Sequence, residues 1–512
     1  MTFDTVAAPQ TARRGTLLTL ACAVLFALDL AALPARGQGV SGGAASPASA
    51  PVRPQKEPTC THCKERLKTV EALKQTLPAG WTFQLERESV FGSDILVVEA
   101  GQGHPQTLLL VHGLGQNGFT DWLPLLPHLA QRYHVIALDL PGFGYSGAPS
   151  GKYSPSNYAR LLHALLTRHA KQGVIAVGHS MGAAVVLRLA SLHPELVSKL
   201  ILVDAAGILH RTAFAKHNAS LPLAASSLPQ LLKEPVARAA ELGNTLVERI
   251  FGMPDLTRVL KESDLAWELL LRNRANTNAA LALMDEDFSA AVHALQQPTQ
   301  IIWGEADKVA PLRTGQLLAR RLPRAELQSL PGVGHTPMLE APQRFLALLS
   351  TALDAEPKAL PPPAGGALEP TDLKCSGQAD AQYSGHYRDV LIEGCSAVRL
   401  VNLSAERIVI RNSIVQMQGV QVRSADVALD VSNSEVTATA SDFSGEVAIR
   451  ADAARIDLAG VHLLAIGNAV EAKRASRLIG SISRIQSPDF TGYWHDDVEV
   501  SNSRLVPARR RE

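Results

Sequence analysis

The sequence predicts two folded regions of different class: a doubly wound α/β sheet with an inserted helical lid, then a C-terminal all-β domain of parallel β-helix type. Three observations carry this. From Trp81 to Ala352, short apolar runs alternate with helical stretches, the pattern of buried parallel strands and their crossovers. Between Asp204 and Pro298 the pattern is helical with no convincing strand, too long for a plain crossover. Beyond Cys375, β-branched and polar residues alternate and Asn-Ser turns recur.

The chain of 512 residues exceeds what one domain needs. Arg13 and Arg14 precede an apolar run from Thr16 to Leu33, and small residues follow. That order is an export signal, or a membrane anchor if the run is retained, so residues 1–36 are assigned to one or the other. Asp29 inside the run weakens the anchor reading. The localisation expected is periplasmic, secreted or membrane-anchored. Residues 37–57, rich in Gly, Ala, Ser and Pro, read as a flexible tether. Cys60 and Cys63 form a C-x-x-C that lacks a following His, so haem attachment is excluded. With Cys375 and Cys395 they make four cysteines for an oxidising compartment, and disulfides are the plain reading. Net charge is +1, which argues for no nucleic-acid partner.

The α/β domain spans 58–354, with a short helix expected at 64–77 and the lid at about 208–295. Its expected strands include Thr107–Val111, His134–Leu138, Val174–Val177, Leu200–Val203 and Gln300–Trp303. Residues 355–372, with three successive prolines, form a linker. The β-rich domain occupies 373–508. Its segments Ile408–Met417 and Leu429–Ala438 place Asn412-Ser413 and Asn433-Ser434 in equivalent positions, and Arg455–Leu464 reads as a third, looser copy. Stacked coils with asparagine ladders at the turns follow, a β-sandwich being the alternative. Asp426, Asp430 and Asp457 follow no spacing suited to acid-base work. A Cys375–Cys395 disulfide would cap the first coil, and the domain is expected to be separable from the chemistry.

The chemistry-bearing signal is Gly178-His179-Ser180-Met181-Gly182, between an apolar run and a helical stretch. Strand, tight turn and helix lift a serine hydroxyl clear of a sheet, and Ser180 is the candidate nucleophile. A serine needs a base. His335 supplies it from the loop in Leu330–Pro342, and Asp307 follows the strand in Ile301–Pro311 as the acid, with Asp204 as its rival. Backbone N–H groups of Leu114, in Val111-His112-Gly113-Leu114-Gly115, and of Met181 are the candidate oxyanion donors. His112 and His179 read as structural.

Five motifs, HGLG at 112–115, DLPGFGYS at 139–146, GHSMGA at 178–183, GEADKVAP at 304–311 and GHTPMLEAP at 334–342, resemble the α/β-hydrolase superfamily. They are similar to its lidded esterases, meta-cleavage-product hydrolases and haloperoxidase-like enzymes over about Trp81 to Ala352. The resemblance implies an acyl-enzyme mechanism through Ser180, Asp307 and His335 with no cofactor and no metal. The substrate expected is a small, largely apolar carboxylic ester. The alternatives are carbon–carbon hydrolysis of a diketone-like acid, or a surface- or glycan-binding protein whose hydrolase domain is secondary. Cell-surface or polysaccharide contact is assigned to the C-terminal domain.

Overall fold

The computed structural model describes residues 78, 80–170, 172–213, 263–271, 274–357 and 371–507. The expected signal or anchor, the tether, Cys22, Cys60, Cys63, the helix at 64–77, lid residues 214–262 and linker residues 358–370 lie outside the described residues. No helix among the described residues is long and apolar enough to cross a membrane.

The first region follows the order β1 (Thr82–Arg87), β2 (Asp94–Ala100), β3 (Thr107–Val111), α1 (Leu126–Leu129), β4 (His134–Leu138), α2 (Pro155–His169), β5 (Val174–His179), α3 (Met181–Leu192) and β6 (Val197–Val203). The inserted segment contributes α4 (Asp264–Leu271), α5 (Ala275–Met284) and α6 (Ser289–Ala294). Then come β7 (Thr299–Gly304), α7 (Leu312–Arg321), β8 (Ala325–Leu330), α8 (Pro337–Glu340) and α9 (Pro342–Asp354). The eight strands form one sheet in the order β1-β2-β4-β3-β5-β6-β7-β8. β2 runs antiparallel to both β1 and β4, and the remaining pairs are parallel.

The five apolar runs become the central strands because both their faces are covered. Alternate residues serve opposite layers: Leu109, Val111 and Ala176 pack with α2 and α3, whereas Leu108, Leu110 and Val177 pack with Phe345 and Leu349 of α9. β1, β2 and β8 lie towards the edges. β1 and β8 are partly exposed, so no continuous apolar run marks them.

The second region is all-β. β9 (Thr371–Ser376), β10 (Gln382–Glu393) and the 14-residue β11 (Val398–Arg411) pair in parallel. Coils follow: β12 (Ile414–Gln418), β13 (Gln421–Arg423) and β14 (Val427–Ser432); β15 (Glu435–Thr439), β16 (Asp442–Gly445) and β17 (Val447–Asp452); β18 (Arg455–Ala459), β19 (His462–Ala465) and β20 (Val470–Ala472). Each strand pairs in parallel with its counterpart one coil on, as Ile414↔Glu435↔Arg455 shows. The ladders converge on β21 (Ser476–Gln486). β22 (Thr491–Val500) covers β21 antiparallel, and β23 (Ser503–Arg504) pairs with β20. Parallel ladders are incompatible with the antiparallel sandwich alternative.

The repeat works differently from the expected asparagine ladder. Asn412, Asn433 and Ala453 occupy one corner with φ of 50°, 46° and 51°, the left-handed conformation that asparagine tolerates. The laddering group is the serine beside it: Cys395 N–H donates to Ser413 Oγ, and Ser413 N–H to Ser434 Oγ, both at 3.0 Å. The third copy also begins earlier than Arg455. Ile408 pairs with Leu429 and Leu429 with Ile449, so the copy starts at Ile449 and carries Ala453-Ala454 where the others carry Asn-Ser. Cys375 and Cys395 stand in adjacent coils with Cα atoms 6.7 Å apart, within the reach of a disulfide.

The two regions share a packed surface, against the expectation of a separable domain. Ala459, Ile479 and Ile482 of the coils belong to the same apolar cluster as α3 and α7. Arg313 on α7 makes a bidentate pair with Asp457, at 2.8 and 2.9 Å, and the Asp457 side chain is only 4% exposed. Arg321 donates to Gly460 O, Ser441 O and Asp442 Oδ1. Thr212 Oγ1 donates to Asp497, and His210 N–H to Ser481 Oγ.

Candidate active site

Ser180 stands at the turn between β5 and α3 with φ 52° and ψ −117°, strained for a residue with a side chain. The turn closes only because its neighbours lack side chains. A Cβ on Gly178 would lie 2.3 Å from Gly182 O, and one on Gly182 would lie 2.3 Å from Val111 O. Ser180 N–H is held by Val203 O of the adjacent strand at 2.9 Å. The elbow is thus locked to β3 on one side and β6 on the other.

The structure brings Ser180, His335 and Asp307 into one hydrogen-bonded line. Ser180 Oγ lies 2.9 Å from His335 Nε2, and His335 Nδ1 lies 2.7 Å from Asp307 Oδ2. The Asp307 side chain is fully buried, whereas His335 keeps 17% of its side chain exposed. Asp307 Oδ1 accepts from the N–H groups of Val309 and Ala310, which fixes the carboxylate plane. A carboxylate held this way keeps the imidazole proton on Nδ1 and leaves Nε2 to accept from the serine. Met181 opens α3 directly after Ser180, and partly buried Leu114 lies in the loop after β3. Gly113 of that loop approaches Ser180 so closely that a Cβ there would lie 2.9 Å from Ser180 Cβ.

Asp204, the rival acid, takes a different part. It ends β6 with φ 45°, is fully buried, and accepts Gly304 N–H through Oδ1 at 2.8 Å. Burial, with the Asp307 carboxylate close by, pushes its pKa well above the usual carboxylate range. Both influences favour the protonated form of Asp204. One ligand atom each of Asp204, Asp307 and His335 lies within 4.8 Å of the others, a grouping compatible with a cation. Hydrogen bonds engage Asp204 Oδ1, both Asp307 oxygens and both His335 ring nitrogens.

The two flanking histidines are structural. His112 Nε2 accepts Leu140 N–H, so its proton sits on Nδ1 and is donated to Gly113 O at 2.7 Å. Burial lowers its pKa to about 4. His179 Nε2 donates to the carbonyl of His335 at 2.7 Å, and burial, aided by the neighbouring His335, lowers its pKa to about 3. Both stay neutral and fix loops on either side of the nucleophile.

Two positioning residues escaped sequence reasoning. Glu340 accepts from the N–H groups of Gly334 and Thr336 and clamps the turn that presents His335; its place in GHTPMLEAP was the available signal. Asn276 on α5 accepts Gly115 N–H through Oδ1 at 3.1 Å and ties the inserted helices to the Leu114 loop; no motif marks it. Asn278, two residues on, anchors the same helix by bonds to Tyr153 N–H, Gly151 O and Trp267 Nε1–H.

Comparison with known proteins agrees with this architecture. A family model described as the alpha/beta hydrolase fold matches residues 106–342. An uncharacterized protein of Mycobacterium tuberculosis is 32% identical over 267 residues, covering 50% of this chain and 76% of the relative. The 2-hydroxy-6-oxo-6-(2'-aminophenyl)hexa-2,4-dienoic acid hydrolase of Metapseudomonas resinovorans is 26% identical, covering 51% and 90%. Among solved structures, a thermophilic esterase from Thermogutta terrifontis is 22% identical over 53% of this chain and 98% of that one, with a TM-score of 0.39.

Proposed function

The chain belongs to the α/β-hydrolase family, and from that membership we propose that it is a serine hydrolase cleaving a carboxylic ester or related acyl bond of a small, largely apolar molecule. The observation that carries this reading is the continuous line Ser180 Oγ–His335 Nε2, His335 Nδ1–Asp307 Oδ2 at a strained elbow. His335 takes the proton of Ser180 as its oxygen attacks the carbonyl carbon. Asp307 orients the imidazolium, and the N–H groups of Met181 and Leu114 hold the oxyanion. His335 returns the proton to the leaving alcohol, then activates the water that releases the acid. Substitution of Ser180 or His335 by alanine should lower kcat on p-nitrophenyl esters by about 10⁴–10⁶. Labelling by a fluorophosphonate that persists in Ser180→Ala would refute the assignment.

A second reading, carbon–carbon hydrolysis of a diketone-like acid by the same residues, is favoured by the meta-cleavage relative. Turnover of a dienoic keto acid in preference to esters would select it. We further propose that Cys375 and Cys395 are oxidised, that the chain is exported through its N-terminal segment, and that the coil domain contacts a cell surface or polysaccharide. Cell fractionation tests the export: recovery only from the cytoplasm would exclude it.

A further inference from the structure

The outward side chains of the coils form two straight ranks along the stack. Register places Gln421, Asp442, His462 and Arg484 in one rank, and Tyr493 of β22 lies opposite Arg484 to extend it. Arg423, Ser444, Leu464 and Gln486 form the second rank. Between them the inward residues Val422, Phe443 and Leu463 make the floor. The ranks border a groove of about 430 Å³.

Three properties of this groove point to one class of occupant. Its polar groups repeat with the coil rise of about 4.8 Å, near the length of one pyranose residue. Its side chains mix amide, guanidinium and hydroxyl donors with apolar Leu464, 47% exposed, and beside the groove stands Tyr493, 41% exposed, with one ring face against His293. A sugar presents that combination of hydroxyl edge and apolar face. Finally, the charge is unbalanced. Asp442 is already matched by Arg321 at 2.8 Å, whereas Arg423 and Arg484, both exposed, have no ion-pair partner among the described residues. They sit three ladder steps apart, about 14 Å along the stack. Guanidinium forks suit carboxylates.

We propose that this groove binds an acidic oligosaccharide lying along the coil axis, with uronate-type carboxylates at Arg423 and Arg484 and a sugar face stacked on Tyr493. The inference rests on the surface-contact role proposed for the coil domain and is independent of the ester chemistry. Titration of the full chain with tetragalacturonate, followed by calorimetry, tests it against a neutral glucose tetramer and against inorganic polyphosphate. The acidic sugar should bind at least tenfold more tightly than either. Arg423→Gln combined with Arg484→Gln should weaken it at least tenfold, Tyr493→Ala several-fold, and added salt should weaken it further. Each variant should keep wild-type turnover of p-nitrophenyl esters. Absence of binding at millimolar sugar, equal binding of polyphosphate, or binding indifferent to these substitutions would overturn the proposal. Retention on whole cell-wall polymer that the arginine pair variant leaves unchanged would overturn the groove while leaving the surface role intact.

Discussion

The hydrolase region and the coil region both bend non-glycine residues into the left-handed part of backbone space, to opposite ends. Among the described residues the hydrolase region does so at Ser180 and Asp204. Both end neighbouring strands, and both side chains reach the candidate site. The coil region does so at nine positions, among them Asn412, Asn433 and Ala453 at one corner and Asn402, Ala440 and Ile482 at another. Strain confined to the ends of two adjacent strands brings two side chains to the candidate site. Strain that recurs with the coil serves construction, because every coil must turn the same corner to place its strand on the next ladder.

Asp307 and Asp204 give the hardest test of the singular side of this contrast. Asp307→Asn should lower kcat by about 10⁴, because an amide fixes the wrong imidazole tautomer. Asp204→Asn should cost less than about tenfold, since a neutral amide replaces a carboxyl group that burial already holds toward its neutral form. Equal losses on a p-nitrophenyl ester would show that the strained Asp204 is itself the acid.

The second test asks how far the two regions are distinct. Arg313→Ala strands Asp457 in the interface and should cost about 3–5 kcal/mol, read by urea unfolding as one transition for the whole chain. A chain ending at Lys358 would expose the faces of α6 and α7 that meet the coils and should lose solubility. Two separated transitions, or a soluble and fully active truncated chain, would restore an independent coil domain.

Within the coils the smallest effects are expected. Ser434→Ala removes the acceptor of the buried Ser413 N–H and should cost about 1–3 kcal/mol. Asn433→Gly keeps the corner and should change stability by less than about 1 kcal/mol. If the two substitutions cost the same in thermal or urea unfolding, the asparagine corner matters beyond its φ angle.

The candidate site residues were legible because each stands in a short loop of glycine and small polar residues directly after an apolar run. The central strands were legible for the same reason: burial on both faces leaves unbroken apolar segments. β1 was not, since Phe83 is the one buried residue among its six. Asp204 could be read as a rival acid but not as a carboxyl group with a raised pKa, because that shift depends on burial beside Asp307. Asn276 belongs to an inserted helix, and its part shows only through the fold, in its contact with Gly115. The third coil was misplaced by a few residues because Ala453-Ala454 dropped the polar signature while keeping the same strand pairing. The shared surface between the regions is made by Arg313, Arg321 and Asp457, which in sequence look like ordinary surface charges.

The neutral histidines around the elbow link the fold to acidity. His112 and His179 are held near 4 and 3 by burial in the folded chain, whereas the unfolded chain offers each a site with the ordinary value of 6.5. Below that value the unfolded state takes up protons that the folded state refuses. Stability is therefore complete above pH 6.5 and drains as pH falls from 6.5 toward 4, by about 1.4 kcal/mol per pH unit for each histidine. Urea midpoints measured from pH 7 down to pH 4 should fall along that slope, and His179→Gln, which keeps a donor for the His335 carbonyl, should make the slope shallower. An unchanged slope would mean that some other group carries the proton uptake. The same packing that holds the His335 loop in place also sets the lowest pH at which that loop survives.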